Sequence, residues 1–178
     1  MLDNFIRRWI QRPGKIVGDF LKPGDTAIDL GCGPGFFTIE MAKRVGPNGR
    51  VIAVDLQPEM LAHVARKSRK HGVSEIVTCH PCQAQDIGLS ISADFILAFY
   101  MIHETPDIRT SLTQIKALMG QGARTLVVEP KMHVGKATFQ TILDIAQDVG
   151  LTVLHRPSGM GGRSVLFGKD QGYSTDVS

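Results

Sequence analysis

Residues 26–38 read Thr26-Ala27-Ile28-Asp29-Leu30-Gly31-Cys32-Gly33-Pro34-Gly35-Phe36-Phe37-Thr38. The first five predict a buried strand. Three glycines and a proline in the next five positions force a turn. A helical run then extends from Phe36 to Val45 and is closed by Gly46-Pro47. Without Cβ atoms the turn can bend tightly and let a ligand approach the main chain. Strand, bare turn and helix in that order open an α/β unit.

Outward from this turn the same alternation continues. Strands are predicted over 50–54, 76–79, 93–99, 124–128, 151–154 and 164–167. The 93–99 strand is apolar on both faces, as at the centre of a parallel sheet. Pro58 starts a helix that runs to about His71 and stops at Gly72. Thr105 caps a helix begun by Pro106 and Asp107 and ended by Gly120. Phe139, Ile142, Leu143 and Ala146 mark another helix, stopped by Gly150. Such alternation specifies an α/β sandwich with a largely parallel sheet, its last two strands close enough to form an antiparallel hairpin. Residues 1–22 read as an amphipathic helical segment with Phe5, Ile6, Trp9 and Ile10 on one face, docked on the domain or over its site. We read 1–178 as one domain.

The turn also constrains its ligand. A dinucleotide site is spaced G-x-G-x-x-G, and its third glycine lets helix and strand pack closely. Phe36 stands in that place, so NAD and FAD are disfavoured. A phosphate-binding P-loop needs Gly-Lys-Ser/Thr, which is absent from the turn. Asp55 closes the second strand, 24 residues after Gly31. A carboxylate there can accept hydrogen bonds from both hydroxyls of a ribose, although it can also cap the following helix.

These residues resemble a known family. The stretch from Ile28 to Thr38 resembles the first motif of class I S-adenosylmethionine-dependent methyltransferases. Val51-Ile52-Ala53-Val54-Asp55 resembles their second strand, followed by Pro58-Glu59-Met60-Leu61. Gln83-Ala84-Gln85-Asp86 is similar to the stretch that meets adenine, and 93–104 and 122–130 are similar to the fourth and fifth strands. Within the family, the likeness is to small enzymes related to quinone-biosynthesis C-methyltransferases. The chain departs from them in carrying Gln83 where Asp is common, and in lacking longer insertions that cover a substrate.

The resemblance implies a Rossmann-like three-layer sandwich. Its seven-stranded sheet would be mostly parallel, in the order 3-2-1-4-5-7-6 with the last strand antiparallel. It implies S-adenosyl-L-methionine as cofactor and S-adenosyl-L-homocysteine as product. Gly31, Cys32 and Gly33 would contact the methionine part through the backbone, and Asp29 would orient its ammonium. Asp55 would hold the ribose, Leu56 and Met60 would flank adenine, and Gln83 and Ala84 would read its edge. Backbone at Ala98 and Phe99 would complete the methionyl side.

Histidine can take and return a proton near neutral pH. His103, just past the fourth strand, is therefore the candidate catalytic base, its alternative being a structural bond to the backbone. Tyr100 and Glu129 are candidate pocket walls. The pattern Cys79-His80-Pro81-Cys82 supplies too few ligands for a structural zinc site, and no metal is expected.

Composition bounds the rest. The 178 residues are 43% hydrophobic and 21% charged, average for a globular domain. The longest apolar run, 95–102, is far short of a membrane span. Three cysteines and no secretory signal point to the cytoplasm. A formal charge of +3 is too small to argue for a nucleic-acid partner. The leading expectation is methyl transfer to a small apolar or aromatic acceptor. Methylation of RNA or protein, and a non-catalytic cofactor-binding subunit that activates a partner, stay open on the residues alone.

Overall fold

The computed structural model describes residues 13–169. A short helix α1 (Pro13–Val17) precedes strand β1 (Thr26–Leu30), helix α2 (Phe36–Val45), strand β2 (Arg50–Asp55), helix α3 (Pro58–Lys70) and strand β3 (Val77–Pro81). Strand β4 (Ala93–Phe99) leads through a single 3-10 turn (Ile102–Glu104) into helix α4 (Ile108–Leu118) and strand β5 (Met119–Glu129). Helix α5 (Lys136–Asp148), strand β6 (Leu151–His155) and strand β7 (Arg163–Lys169) follow.

The seven strands form one sheet in the order β3-β2-β1-β4-β5-β7-β6. Neighbours are parallel from β3 to β5, and β7 runs antiparallel to both β5 and β6. Fold class and strand order are those the sequence led us to expect. From β1 the chain goes to β2 on one side and later to β4 on the other. The carboxyl end of β1 is therefore the switch point where open α/β sheets leave a crevice.

Alternation along β1 sorts the two faces. Ile28 and Leu30 pack with Leu112, Ile115, Phe139 and Ile142, which puts α4 and α5 on that side. Ala27 packs with Val17, Phe37, Met41 and Val45, which puts α1 and α2 on the other. Leu61 and Val64 of α3 join this second face through Ala53 and Cys32. Ile28, Ile96, Leu97 and Val127 have no exposed surface. Truncating any one of them to Ala should cost about 2–5 kcal/mol.

Two helix boundaries differ from the sequence reading. Asp107, not Thr105, caps α4, its carboxylate accepting from the Arg109 and Thr110 N–H groups. Thr105 turns its hydroxyl back onto the Ile102 carbonyl at 2.8 Å. Gly120 does not stop that helix but lies within β5, where an added Cβ would come within 2.6 Å of Ser92 Oγ. Its smallness serves close strand approach, and the chain bulges next to it, between the Ala93↔Met119 and Phe95↔Arg124 pairs.

In the N-terminal segment, Ile16, Val17, Phe20 and Leu21 are buried against α2 and the sheet, and Arg44 on α2 donates to the Gly18 carbonyl. This part docks on the flank and does not cover the crevice. Phe5 and Trp9, offered as a cover, lie outside the described residues. Among the described residues no helix is long and apolar enough to cross a membrane.

Candidate functional site

The turn between β1 and α2 is held entirely by its own donors. Gly31 and Cys32 N–H both donate to the Val54 carbonyl, at 2.9 and 3.0 Å. Gly33 N–H donates to Asp55 Oδ2 at 2.8 Å, and Gly35 N–H to the Cys32 carbonyl at 3.0 Å. Pro34 has no N–H. A phosphate site works the opposite way, aiming free N–H groups at an anion. This turn offers a ligand carbonyl oxygens and bare Cα surface, which suit a cation. The conformation needs glycine: Gly31 sits at φ 72° with room for no side chain, since its Cβ would meet Met101 Cβ at 2.9 Å. Cys32 points its buried thiol inward among Ala53, Leu61 and Val64, so only its main chain faces the crevice.

Two carboxylates stand behind the turn. Asp29 is 2% exposed and accepts from Thr38 Oγ1 at 2.5 Å. Burial pushes its carboxyl up to about 6, opposed by the Thr38 hydrogen bonds. Asp55, at the end of β2, accepts from Gly33 N–H and, at 2.9 Å, from Gln57 N–H. That second bond reaches the N–H of Gln57, the residue ahead of α3, which itself begins without a side-chain cap. Each carboxylate oxygen has a second lone pair, so Asp55 retains acceptor capacity for sugar hydroxyls. Together the acids give the crevice a negative field. Charge and donor inventory therefore fit an adenosyl sulfonium with an amino-acid tail.

Past the ends of β2 and β3, Leu56 is 54% exposed, Met60 is half-buried, and Gln83 and Ala84 are exposed. Gln83 and Asp86 bond to each other's main chain and make a tight turn just past β3. The Cys82 N–H donates to the Asp55 carbonyl at 3.1 Å, tying that turn to the end of β2. The neighbouring His80 bonds the Ile87 carbonyl at 3.0 Å, and the Cys79 thiol bonds the Leu61 carbonyl at 3.5 Å. Both side chains are committed to packing.

The end of β4 forms the opposite wall. Ala98 is fully buried beside Leu30, and the Phe99 ring packs on Phe37 with centroids 4.6 Å apart. Tyr100 adopts φ 60°, a left-handed conformation costly for a non-glycine residue. It is fixed by its N–H on the Val128 carbonyl at 2.7 Å and its hydroxyl on the Gly161 carbonyl at 2.8 Å. This bend turns the chain into the 3-10 turn that carries His103. His103 does not bond the backbone: its Nδ1 meets the carboxylate of Glu129. Glu129 is fully buried and is not a pocket wall.

Sequence reasoning missed three parts of this arrangement. Thr38, partner of Asp29, lies in the first turn of α2, and a hydroxyl at that place in the motif is the available signal. Met101 against Gly31 had no signal, being a contact across two strands. The Glu129–His103 pair joins residues 26 apart in the chain, and only the β4/β5 register brings them together.

Comparison with known proteins gives concordant results. The family described as "Methyltransferase domain" matches residues 21–149. A demethylmenaquinone methyltransferase from Lactococcus lactis is 28% identical over 138 residues, 74% of this chain and 53% of that protein. A 2-phytyl-1,4-naphtoquinone methyltransferase from Synechococcus elongatus is 30% identical over 113 residues, 63% of this chain and 48% of that one. The chain spans about half the length of these curated relatives. The crystal structure of a SAM-dependent methyltransferase from Aquifex aeolicus superposes with a TM-score of 0.78 at 25% identity, covering 91% of this chain and 90% of that one. Aeropyrum pernix fibrillarin with bound S-adenosyl-L-methionine shares the fold at a TM-score of 0.63 and 15% identity, over 83% of this chain and 67% of that one. Family match, sheet order and crevice chemistry agree, and the chain belongs to the class I S-adenosylmethionine-dependent methyltransferases.

Proposed function

We propose that this protein transfers a methyl group from S-adenosylmethionine to a small apolar or aromatic acceptor, with His103 as proton acceptor. The observation that carries the reading is the junction at the switch point. A donor-free, acid-backed turn lies directly against the β4 end that bears Met101 and His103. The bound cofactor supplies an activated methyl group on a sulfonium. Asp29 orients the ammonium, Asp55 grips the ribose, and Leu56 and Met60 flank the adenine that Gln83 and Ala84 read. Holding methyl and nucleophile in line can supply roughly 7–11 kcal/mol of the barrier.

Half-buried Phe99, Tyr100 and Met101 provide an apolar, partly aromatic wall. The names of the quinone methyltransferases above support an acceptor of the same small, ring-bearing kind. Three free cysteines fit a cytoplasmic setting. We read residues 1–178 as a single domain and propose no nucleic-acid partner. The test is transfer of isotope-labelled methyl from S-adenosylmethionine into fractionated cell extract by the full chain. Label should enter a low-mass fraction and fall roughly 100-fold in His103→Ala, with cofactor affinity by calorimetry unchanged. Label found only in RNA or protein would overturn the acceptor, and full activity of His103→Ala would overturn the base.

A further inference from the structure

We propose that Glu129 is a positioning residue that fixes His103 in its Nδ1–H tautomer, and that the acceptor is accordingly a phenol- or quinol-type hydroxyl compound. The inference rests on the reading of His103 as proton acceptor and goes beyond it. Glu129 ends β5, one residue past the Phe99↔Val128 pair, and has no exposed surface. Burial raises its carboxyl pKa, while the facing His103 holds it down. A buried carboxylate is costly unless partnered. One oxygen accepts from the Ile102 N–H at 3.0 Å, a bond any neutral acceptor could make. The other oxygen faces His103 Nδ1. Arg163, opposite Glu129 on β7, spends its Nε–H on the Val134 carbonyl at 2.9 Å. Among the described residues no lysine or arginine forms an ion pair with Glu129.

An acceptor on one ring nitrogen decides the state of the other. With Nδ1–H donating to Glu129, Nε2 keeps its lone pair, and the carboxylate stabilises the imidazolium that forms when a proton arrives. The imidazole is 16% exposed, so it is neither sealed in nor free in solvent. The other ionisable groups around it are few. Exposed Glu104, on its own turn, has Oε1 3.9 Å from Nε2. The His133 ring, past the end of β5, is 5.9 Å away between centroids. Burial, and after it the Glu129 charge, raise the Tyr100 phenol pKa. None of these supplies Nδ1 with an acceptor.

The acceptor class follows from proton bookkeeping. A positioned base is wasted on an acceptor that attacks with a lone pair already free, and an imidazole is too weak to ionise an aliphatic alcohol appreciably. A phenolic hydroxyl lies between. Its O–H proton goes to Nε2 as the O–CH₃ bond forms and the S–CH₃ bond breaks. The S–C electron pair stays on sulfur as a neutral thioether, and the imidazolium later loses its proton to solvent. Attack through oxygen gives a methyl ether, attack of the same ionised ring through carbon gives a C-methylated phenol as the ring proton moves to oxygen, and the other product is S-adenosylhomocysteine in both cases.

The test compares the full wild-type chain with Glu129→Gln. Glutamine keeps an oxygen for the Ile102 N–H but turns an NH₂ toward Nδ1, which forces the opposite tautomer. Side-chain nitrogen NMR of His103 without substrate should give Nδ1–H in the wild type and Nε2–H in Glu129→Gln. The same tautomer in both overturns the positioning role. Turnover is read with 2-naphthol, catechol and 1,4-naphthoquinol as probes. The kcat of Glu129→Gln should fall roughly 100-fold or more, with KM for S-adenosylmethionine and thermal stability held. A loss in His103→Ala but none in Glu129→Gln overturns the pair and leaves the base standing. No loss in either overturns the base itself. Failure of the wild type to methylate any of the three probes overturns the acceptor class.

Discussion

The two walls of the crevice are built differently. The β1/β2 wall is a main-chain object in which four N–H groups, three glycines and two carboxylates fix a turn whose side chains mostly face away from the ligand. The β4/β5 wall is a side-chain object, with a strained Tyr100, an imidazole and a buried carboxylate held by long-range contacts. One wall serves a ligand of fixed shape, for which backbone geometry suffices. The other, on the reading proposed above, handles a proton, which only ionisable side chains can do. Damage to the first should register as lost stability and cofactor affinity, and damage to the second as lost turnover.

The sharpest way to break this contrast is Gly31→Val. Its φ of 72° and the 2.9 Å approach of Met101 leave no place for a branched side chain. Urea denaturation should show a loss of at least about 3 kcal/mol. Gly33 has φ 50° but open space around it, so Gly33→Ala should cost only about 1 kcal/mol. Equal costs would mean that the turn is not shaped by contact with the β4 wall.

Asp55→Ala comes next. It removes the acceptor for Gly33 and Gln57 N–H as well as the proposed sugar acceptor. Calorimetry should find S-adenosylmethionine affinity weakened roughly 100-fold, the worth of one or two hydrogen bonds to a charged group. An unchanged dissociation constant would remove Asp55 from the cofactor site.

Asp29→Asn separates stability from binding on the same wall. The native carboxyl, normally 3.8, sits at about 6, so the folded state holds its proton more tightly than the unfolded chain does. The Asp29 contribution to stability is therefore full below pH 3.8 and is lost as pH rises through about 6. At pH 7 the neutral amide should raise stability by about 2 kcal/mol, readable as a higher urea midpoint. Affinity for the cationic cofactor should drop roughly tenfold. In the wild type that affinity should itself weaken as pH falls through about 6, a dependence that Asp29→Asn should abolish. Stability loss in Asp29→Asn at pH 7 would refute the burial argument.

Fold and cofactor wall were legible because their information is local. The glycine turn, the acid at the end of the next strand and the alternating apolar runs each occupy a few consecutive residues, where φ preferences and side-chain period act directly. The misplaced helix end at Gly120 came from reading a glycine by its torsional freedom, when its role was to leave space beside Ser92. Local sequence cannot distinguish those two uses.

By itself, then, the chain determined a parallel α/β sheet with a crevice for a nucleoside cation at its switch point. Only the tertiary structure decided how the other side of that crevice is supported. Register between β4 and β5 sets Glu129 beside the turn that carries His103, a pairing worthless to either residue alone. Non-local contacts depend on how strands align in space, and that alignment is fixed by the whole core rather than by any short stretch of residues.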